Sequence, residues 1–201
     1  MVEKWSSQDE TLAGMAGEGD RKAFEELFNR YKKPVLNFIY RLIGNKETAE
    51  EVAQEVFVKV YNNLDTFDPG RPFAPWLYTI ARNLAKNALR DRKYFRDISL
   101  DKTVYGKEKA IRLKDMIADP NARPDEAAED EELSREAQKV LDSLPLAYRE
   151  VIALCSIQGL TYKEAGRVLN CSAAMVGIRL KKAKILFMEK LGIDARRQGS
   201  D

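Results

Sequence analysis

Apolar residues recur along this chain at three- and four-residue spacing almost throughout, which predicts helices and no strand longer than a few residues. Ser7 and Glu10 have capping-box spacing ahead of Leu12 and Met15. Asp20 is placed to cap a helix whose inner side carries Phe24, Leu27, Phe28 and Tyr31. Pro34 should interrupt or kink that helix before the pattern resumes at Val35, Phe38, Ile39 and Leu42. Gly44-Asn45 is a stop. From Lys46 onward Val52, Val56, Val60 and Leu64 recur every fourth residue, with Phe57 and Tyr61 beside them. Asp68-Pro69-Gly70 is a turn signal, and Pro75 suits the first turn of a further helix with Leu77, Ala81, Leu84 and Ala88 on one face.

The periodicity lapses over 97–130, which contains Gly106, Pro120 and Pro124 and reads as a flexible linker with a short helix around 107–117. Asp125 to Glu136 holds seven acids and one arginine and should lead into a helix ending near Ser143. A second helical unit follows. Pro145 opens a helix offering Tyr148, Val151, Ile152 and Cys155 to a core, and Gly159 ends it. Thr161 to Glu164 is a capping box for a short helix through Leu169; Asn170 makes a turn; Ser172 caps a long last helix carrying Val176, Leu180, Ala183 and Phe187. The expected fold is all-α, with two small helical domains, 1–96 and 131–201, joined by the linker.

Composition narrows the function. Net charge is only +2, but the charges are segregated, and the total conceals this. No apolar run approaches the roughly 20 residues of a membrane span, and residues 1–10 lack the features of a signal peptide, so a cytoplasmic protein is expected. The chain has no histidine, which removes the commonest general base and metal ligand. Neither a Walker nor a dinucleotide-binding glycine loop is present. Cys155 and Cys171 fit no zinc spacing and are read as reduced, packed thiols. No catalytic residue, metal or cofactor is expected.

Three constellations carry the chemistry. The two C-terminal helices and their short turn describe a helix-turn-helix, whose second helix should enter a major groove. Between 179 and 190 that helix carries five Lys or Arg against one acid, Glu189. These cations suit phosphates, and Arg179 has the forked group that base readout uses. Upstream, Arg82, Lys86, Arg90, Arg92, Lys93 and Arg96 crowd a helix that also bears Trp76, Tyr78, Asn83 and Asn87. Cations beside aromatic and amide groups suit single-stranded DNA, although Trp76, Leu77 and Ile80 also fit a core. Finally, Glu50, Glu51, Gln54 and Glu55 line one side of an amphipathic helix that could meet a basic partner surface; acids early in a helix also simply favour its dipole.

In order, these motifs resemble the extracytoplasmic-function (ECF) sigma factors of bacterial RNA polymerase. Gly19-Asp20-Arg-Lys-Ala23-Phe24 resembles the start of their region 2, and Ala49-Glu-Glu-Val-Ala-Gln-Glu-Val-Phe57 their polymerase-docking region 2.2. Trp76-Leu-Tyr-Thr-Ile-Ala-Arg-Asn83 resembles the melting and −10-reading segment. Leu144-Pro-Leu-Ala-Tyr-Arg-Glu-Val151 and Gly159-Leu-Thr-Tyr-Lys-Glu-Ala165 resemble region 4, which reads the −35 element. The resemblance implies a promoter-specific initiation factor. Core-polymerase contacts would come from Glu51, Gln54, Glu55 and Phe57, and −10 contacts from Trp76, Tyr78, Arg82, Asn83, Lys86, Asn87 and Arg90. The −35 contacts would come from Ser172, Arg179, Lys181 and Lys182. Implied partners are the β′ clamp and β flap of core polymerase, promoter DNA and a cognate anti-sigma protein. Two departures stand out. The helix-turn-helix has Gly166 and Asn170 where the family usually has Ala and Gly, and Gly166 alone should weaken its helix by about 1 kcal/mol. The recognition helix has Gly177 and Ile178 where polar residues are usual. A duplex-binding regulator, a nucleic-acid enzyme and a helical adaptor are the rival readings.

Overall fold

A computed structural model describes residues 7–97 and 127–192, and the chain divides into two compact units, Met1–Pro120 and Asn121–Asp201. The 107–117 helix expected from the sequence lies outside the described residues.

The first unit packs four helices: α1 (Ser7–Gly17), α2 (Arg21–Ile43), α3 (Lys46–Tyr61) and α4 (Phe73–Asp97), with a 3-10 turn over Leu64–Thr66. Asp20 caps α2 as expected, its carboxylate accepting from the N–H groups of Lys22 at 2.9 Å and Ala23 at 3.2 Å. Pro34 does not interrupt α2, which runs through it to Ile43. Buried Tyr31, Val35, Phe38 and Ile39 flank the proline, and their burial outweighs the lost backbone bond. At Gly44 the chain takes a left-handed turn with φ 74°. Asn45 then caps α3 by accepting from the Thr48 N–H at 2.8 Å.

The core is built from edge-to-face aromatic pairs, an arrangement that sets the positive ring edge against the negative face. Phe28 meets Phe57 with ring centroids 4.8 Å apart, and Phe38 meets Tyr78 at 5.1 Å. Phe73 lies at a junction, with Tyr31 at 5.3 Å, Phe67 at 5.5 Å and Trp76 at 5.7 Å.

Helix α1 is fastened by its acids. Buried Asp9 accepts from Arg30 Nη1 at 2.7 Å and from the Tyr31 hydroxyl at 3.0 Å. Burial works against the Arg30 charge, but its bonds to Glu26 and Asp9 outweigh that and hold its pKa above the ordinary value. Glu10, expected to close a capping box with Ser7, instead accepts from the Phe73 N–H of α4 at 2.9 Å. A carboxylate at a helix start complements the dipole wherever in the sequence it originates, so α1 caps α4 from 63 residues away.

The second unit contains α5 (Ala127–Asp142), α6 (Leu146–Val151) with a π-helical continuation over Ile152–Ile157, α7 (Tyr162–Leu169) and α8 (Ala173–Lys190). Helix α5 begins inside the stretch assigned above to the linker. The π segment, in which the Gln158 N–H donates to the Ala153 carbonyl at 2.9 Å, has no signature in apolar spacing. Asp142 accepts from Gln138 Nε2 at 3.0 Å and pairs with Arg149 at 3.5 Å, tying α5 to α6.

Replacing Phe73 with alanine is expected to destabilise the first unit by about 3–5 kcal/mol. Urea unfolding followed by tryptophan fluorescence, which senses Trp76 directly, measures it.

Candidate nucleic-acid interface

Helix α4 turns Leu77, Tyr78, Ala81, Leu84 and Ala85 inward. At three- and four-residue steps the opposite side carries Trp76, Asn83, Lys86, Asn87 and Arg90, which share one face. Asn83, Lys86, Asn87 and Arg90 are exposed, Trp76 and Arg82 half-buried. Trp76 lies against Phe67 at 5.1 Å and Phe73 at 5.7 Å, so its position is fixed while part of the indole stays accessible. Tyr78 is fully buried against Phe38, and desolvation drives its phenol pKa well above the ordinary range. Tyr78 is therefore a core residue, and the expectation that it touches DNA is corrected. The stripe is thus one flat aromatic edge, two side-chain amides and a row of cations, a set that can hold an unstacked base beside a phosphate backbone.

Helix α3 buries Val52, Val56 and Val60 and exposes Glu51 and Glu55, with Gln54 half-buried between them. Phe57 is 2% exposed and packs on Phe28; its assignment as a docking side chain is corrected to a core role that fixes the angle of the acidic face. Tyr61, 53% exposed and edge-on to Phe24 at 4.9 Å, extends that face, whereas the sequence pattern had set it only beside the apolar stripe. Its spacing of seven from Gln54 places it on the same side and was the available signal.

In the second unit α7 and α8 form the helix-turn-helix. Thr161 and Glu164 make the capping box, the Glu164 N–H donating to Thr161 Oγ1 at 3.3 Å and the Thr161 N–H to Glu164 Oε2 at 2.8 Å. Asn170 adopts the left-handed conformation with φ 53°. The Cys171 N–H donates to the Gly166 carbonyl at 2.9 Å. A Cβ on Gly166 would stand 2.7 Å from the Cys171 carbonyl oxygen. Gly166 is thus what allows the turn to close over α7, and its propensity cost is offset by that approach. Ser172 caps α8 by accepting from the Met175 N–H at 3.2 Å. Lys181 and Lys182 are exposed; Arg179 is half-buried with Nη1 4.0 Å from Cys171 Sγ. Burial raises the half-buried Cys155 thiol to about 11, against a smaller opposing pull from Lys184.

Two family profiles match these units: Sigma-70 region 2 over residues 27–94 and Sigma-70 region 4 over residues 134–186. Among curated proteins, the ECF RNA polymerase sigma factor SigW of Bacillus subtilis is 36% identical over 86% of this chain and 91% of its own length. The chain belongs to the ECF sigma factors. Among solved structures, CnrH in complex with the cytosolic domain of CnrY superposes with a TM-score of 0.66 at 25% identity, covering 94% of this chain and 99% of that one. The sigma factor RpoE of Bartonella quintana, solved with the anti-sigma factor NepR, shares the fold with a TM-score of 0.65 at 21% identity, over 86% of this chain and 99% of that one. As an ECF sigma factor the protein is a non-enzymatic transcription initiation factor that binds RNA polymerase and promoter DNA. No helix among the described residues is long and apolar enough to cross a membrane.

Two outcomes follow for the sigma factor. Gly166→Ala, stabilising by propensity alone, is expected instead to destabilise the helix-turn-helix by at least about 1 kcal/mol through the 2.7 Å clash, read from thermal unfolding by circular dichroism. With its pKa near 11 rather than the usual 9, Cys155 should hold about a hundredfold less thiolate at pH 8, so its alkylation should be correspondingly slow and should accelerate as pH rises toward 11.

Proposed function

We propose that the exposed acids of α3, Glu51 and Glu55, with Gln54, dock the sigma factor on the β′ clamp of core polymerase, and that the 131–201 domain meets the β flap. The α4 stripe of Trp76, Arg82, Asn83, Lys86, Asn87 and Arg90 holds the melted −10 strand. The α8 residues Ser172, Arg179, Lys181 and Lys182 approach the −35 duplex. The single observation that carries this reading is the α4 stripe, because a duplex-only regulator would have no use for amides and an accessible indole beside a row of cations on a second helical unit. The part of the 97–130 stretch that lies between α4 and α5 acts as the linker that lets two separate DNA elements be read at once. The complex of RpoE with NepR supports an anti-sigma partner that holds the factor inactive, and the protein works in the cytoplasm, where polymerase is.

Run-off transcription with bacterial core polymerase tests it. Protein-dependent initiation is expected on promoters sharing spaced −35 and −10 elements; binding to duplex promoter without core enzyme, and no initiation with it, would favour a simple regulator. Asn83→Ala should lower open-complex formation about tenfold with little change in core binding. Glu51→Lys with Glu55→Lys should do the reverse, weakening core association measured by native gel or polarisation. Lys181→Ala should reduce the salt slope of promoter binding by about 1.

A further inference from the structure

The leading residues of a recognition helix face the base edges, and here the first six, 173–178, carry no polar side chain. Ala173 and Ala174 are exposed, Met175 is 42% exposed and Ile178 64%. Positions 174 and 175 each lie one turn from 178, so Ile178 is neighboured by both. The Ser172 hydroxyl accepts as the helix cap and has only its O–H left to donate, at the edge of this face, and Arg179 lies to one side, half-buried over Cys171 Sγ. On the other side, the ring of Tyr162 closes against Gly177, where a Cβ would come within 3.3 Å of Cε2. The result is an apolar ridge flanked by exposed Lys181 and Lys182.

The flanking charge identifies the occupant. Lysines one turn beyond an apolar ridge complement a polyanion whose interior face offers apolar matter, and in a DNA major groove only one base does so. Thymine presents its 5-methyl group there beside the O4 acceptor, while the other base edges present donors and acceptors with no methyl for an isoleucine to meet. We propose that Ile178, with Ala174 and Met175 beside it, reads thymine methyl groups in the −35 duplex. The inference rests on α8 being the −35 helix, and it assigns specificity to residues that stand where the family usually has polar ones.

The test uses holoenzyme assembled from bacterial core polymerase and the full chain. Its −35 preferences are first selected from a randomised promoter pool. Each thymine in the selected element is then replaced singly by deoxyuridine, which removes only the methyl group, and open-complex formation is titrated at fixed salt. The selected element should contain thymine, and at least one deoxyuridine should weaken binding roughly fourfold, the worth of one buried methyl. Ile178→Ala should bind the thymine promoter about as weakly and lose its response to deoxyuridine at that position. Because Ile178 is largely solvent-exposed, this variant leaves the core intact. Selected elements without thymine, full binding to every deoxyuridine promoter, or an Ile178→Ala variant as sensitive as the parent would each overturn the methyl reading while leaving the sigma function standing. The last two would leave the ridge as a surface for a protein. Absence of initiation on every promoter would instead remove the sigma reading, and the methyl reading with it.

Discussion

Much of the first unit depends on how Phe73 is held. Its ring is gripped by Tyr31 from α2, by Phe67 from the preceding loop and by Trp76 one turn ahead, and its backbone N–H is taken by Glu10 from α1. Two edge-to-face ring contacts, one tilted one and one charge-assisted bond fix both the start and the roll of α4. The roll matters most. With Leu77 and Tyr78 locked inward, Asn83, Asn87 and Arg90 have no choice but to face outward together. The exposed stripe of amides and cations is therefore a by-product of aromatic packing on the other side of the same helix.

The helix-turn-helix follows a different economy. There the geometry is set by backbone, through the left-handed Asn170 and the approach of the Cys171 carbonyl to a residue without a side chain. Two side-chain caps, from Thr161 and Ser172, satisfy the helix starts on either side of the turn. A tight turn held by backbone leaves the outer surface of α8 unconstrained by packing. Its exposed residues can then vary with the DNA to be read without disturbing Val176, Leu180 and Ala183 beneath.

The helices, their caps at Asp20, Thr161 and Ser172, and the exposed amides and lysines were legible in the sequence, because each rests on local spacing. Other features were hidden for identifiable reasons. Glu10 caps a helix far along the chain, and no local pattern reports a long-range acceptor. Pro34 looked like a break because the burial on either side of it is a tertiary quantity. Phe57 and Tyr78 carried the right chemistry for surface contacts, and only packing shows their rings turned inward. Gly166 read as a weakness because propensity counts a missing side chain as loss, whereas here the missing atom makes room. The π segment leaves no trace in apolar spacing because it alters hydrogen-bond register by one residue.

The reach of α1 also bears on where this domain begins. The family profile opens at residue 27, inside α2, yet buried Asp9 and the Glu10 cap both lie before it. A fragment trimmed to the matched span would keep the exposed stripe of α4 and the rings around Phe73 but discard the Glu10 carboxylate that caps α4 and the Asp9 carboxylate that holds Arg30 and Tyr31. The packed unit is longer than the stretch that similarity marks out, and the carboxylates of Asp9 and Glu10 that lie in the extra length are spent on holding α2 and α4.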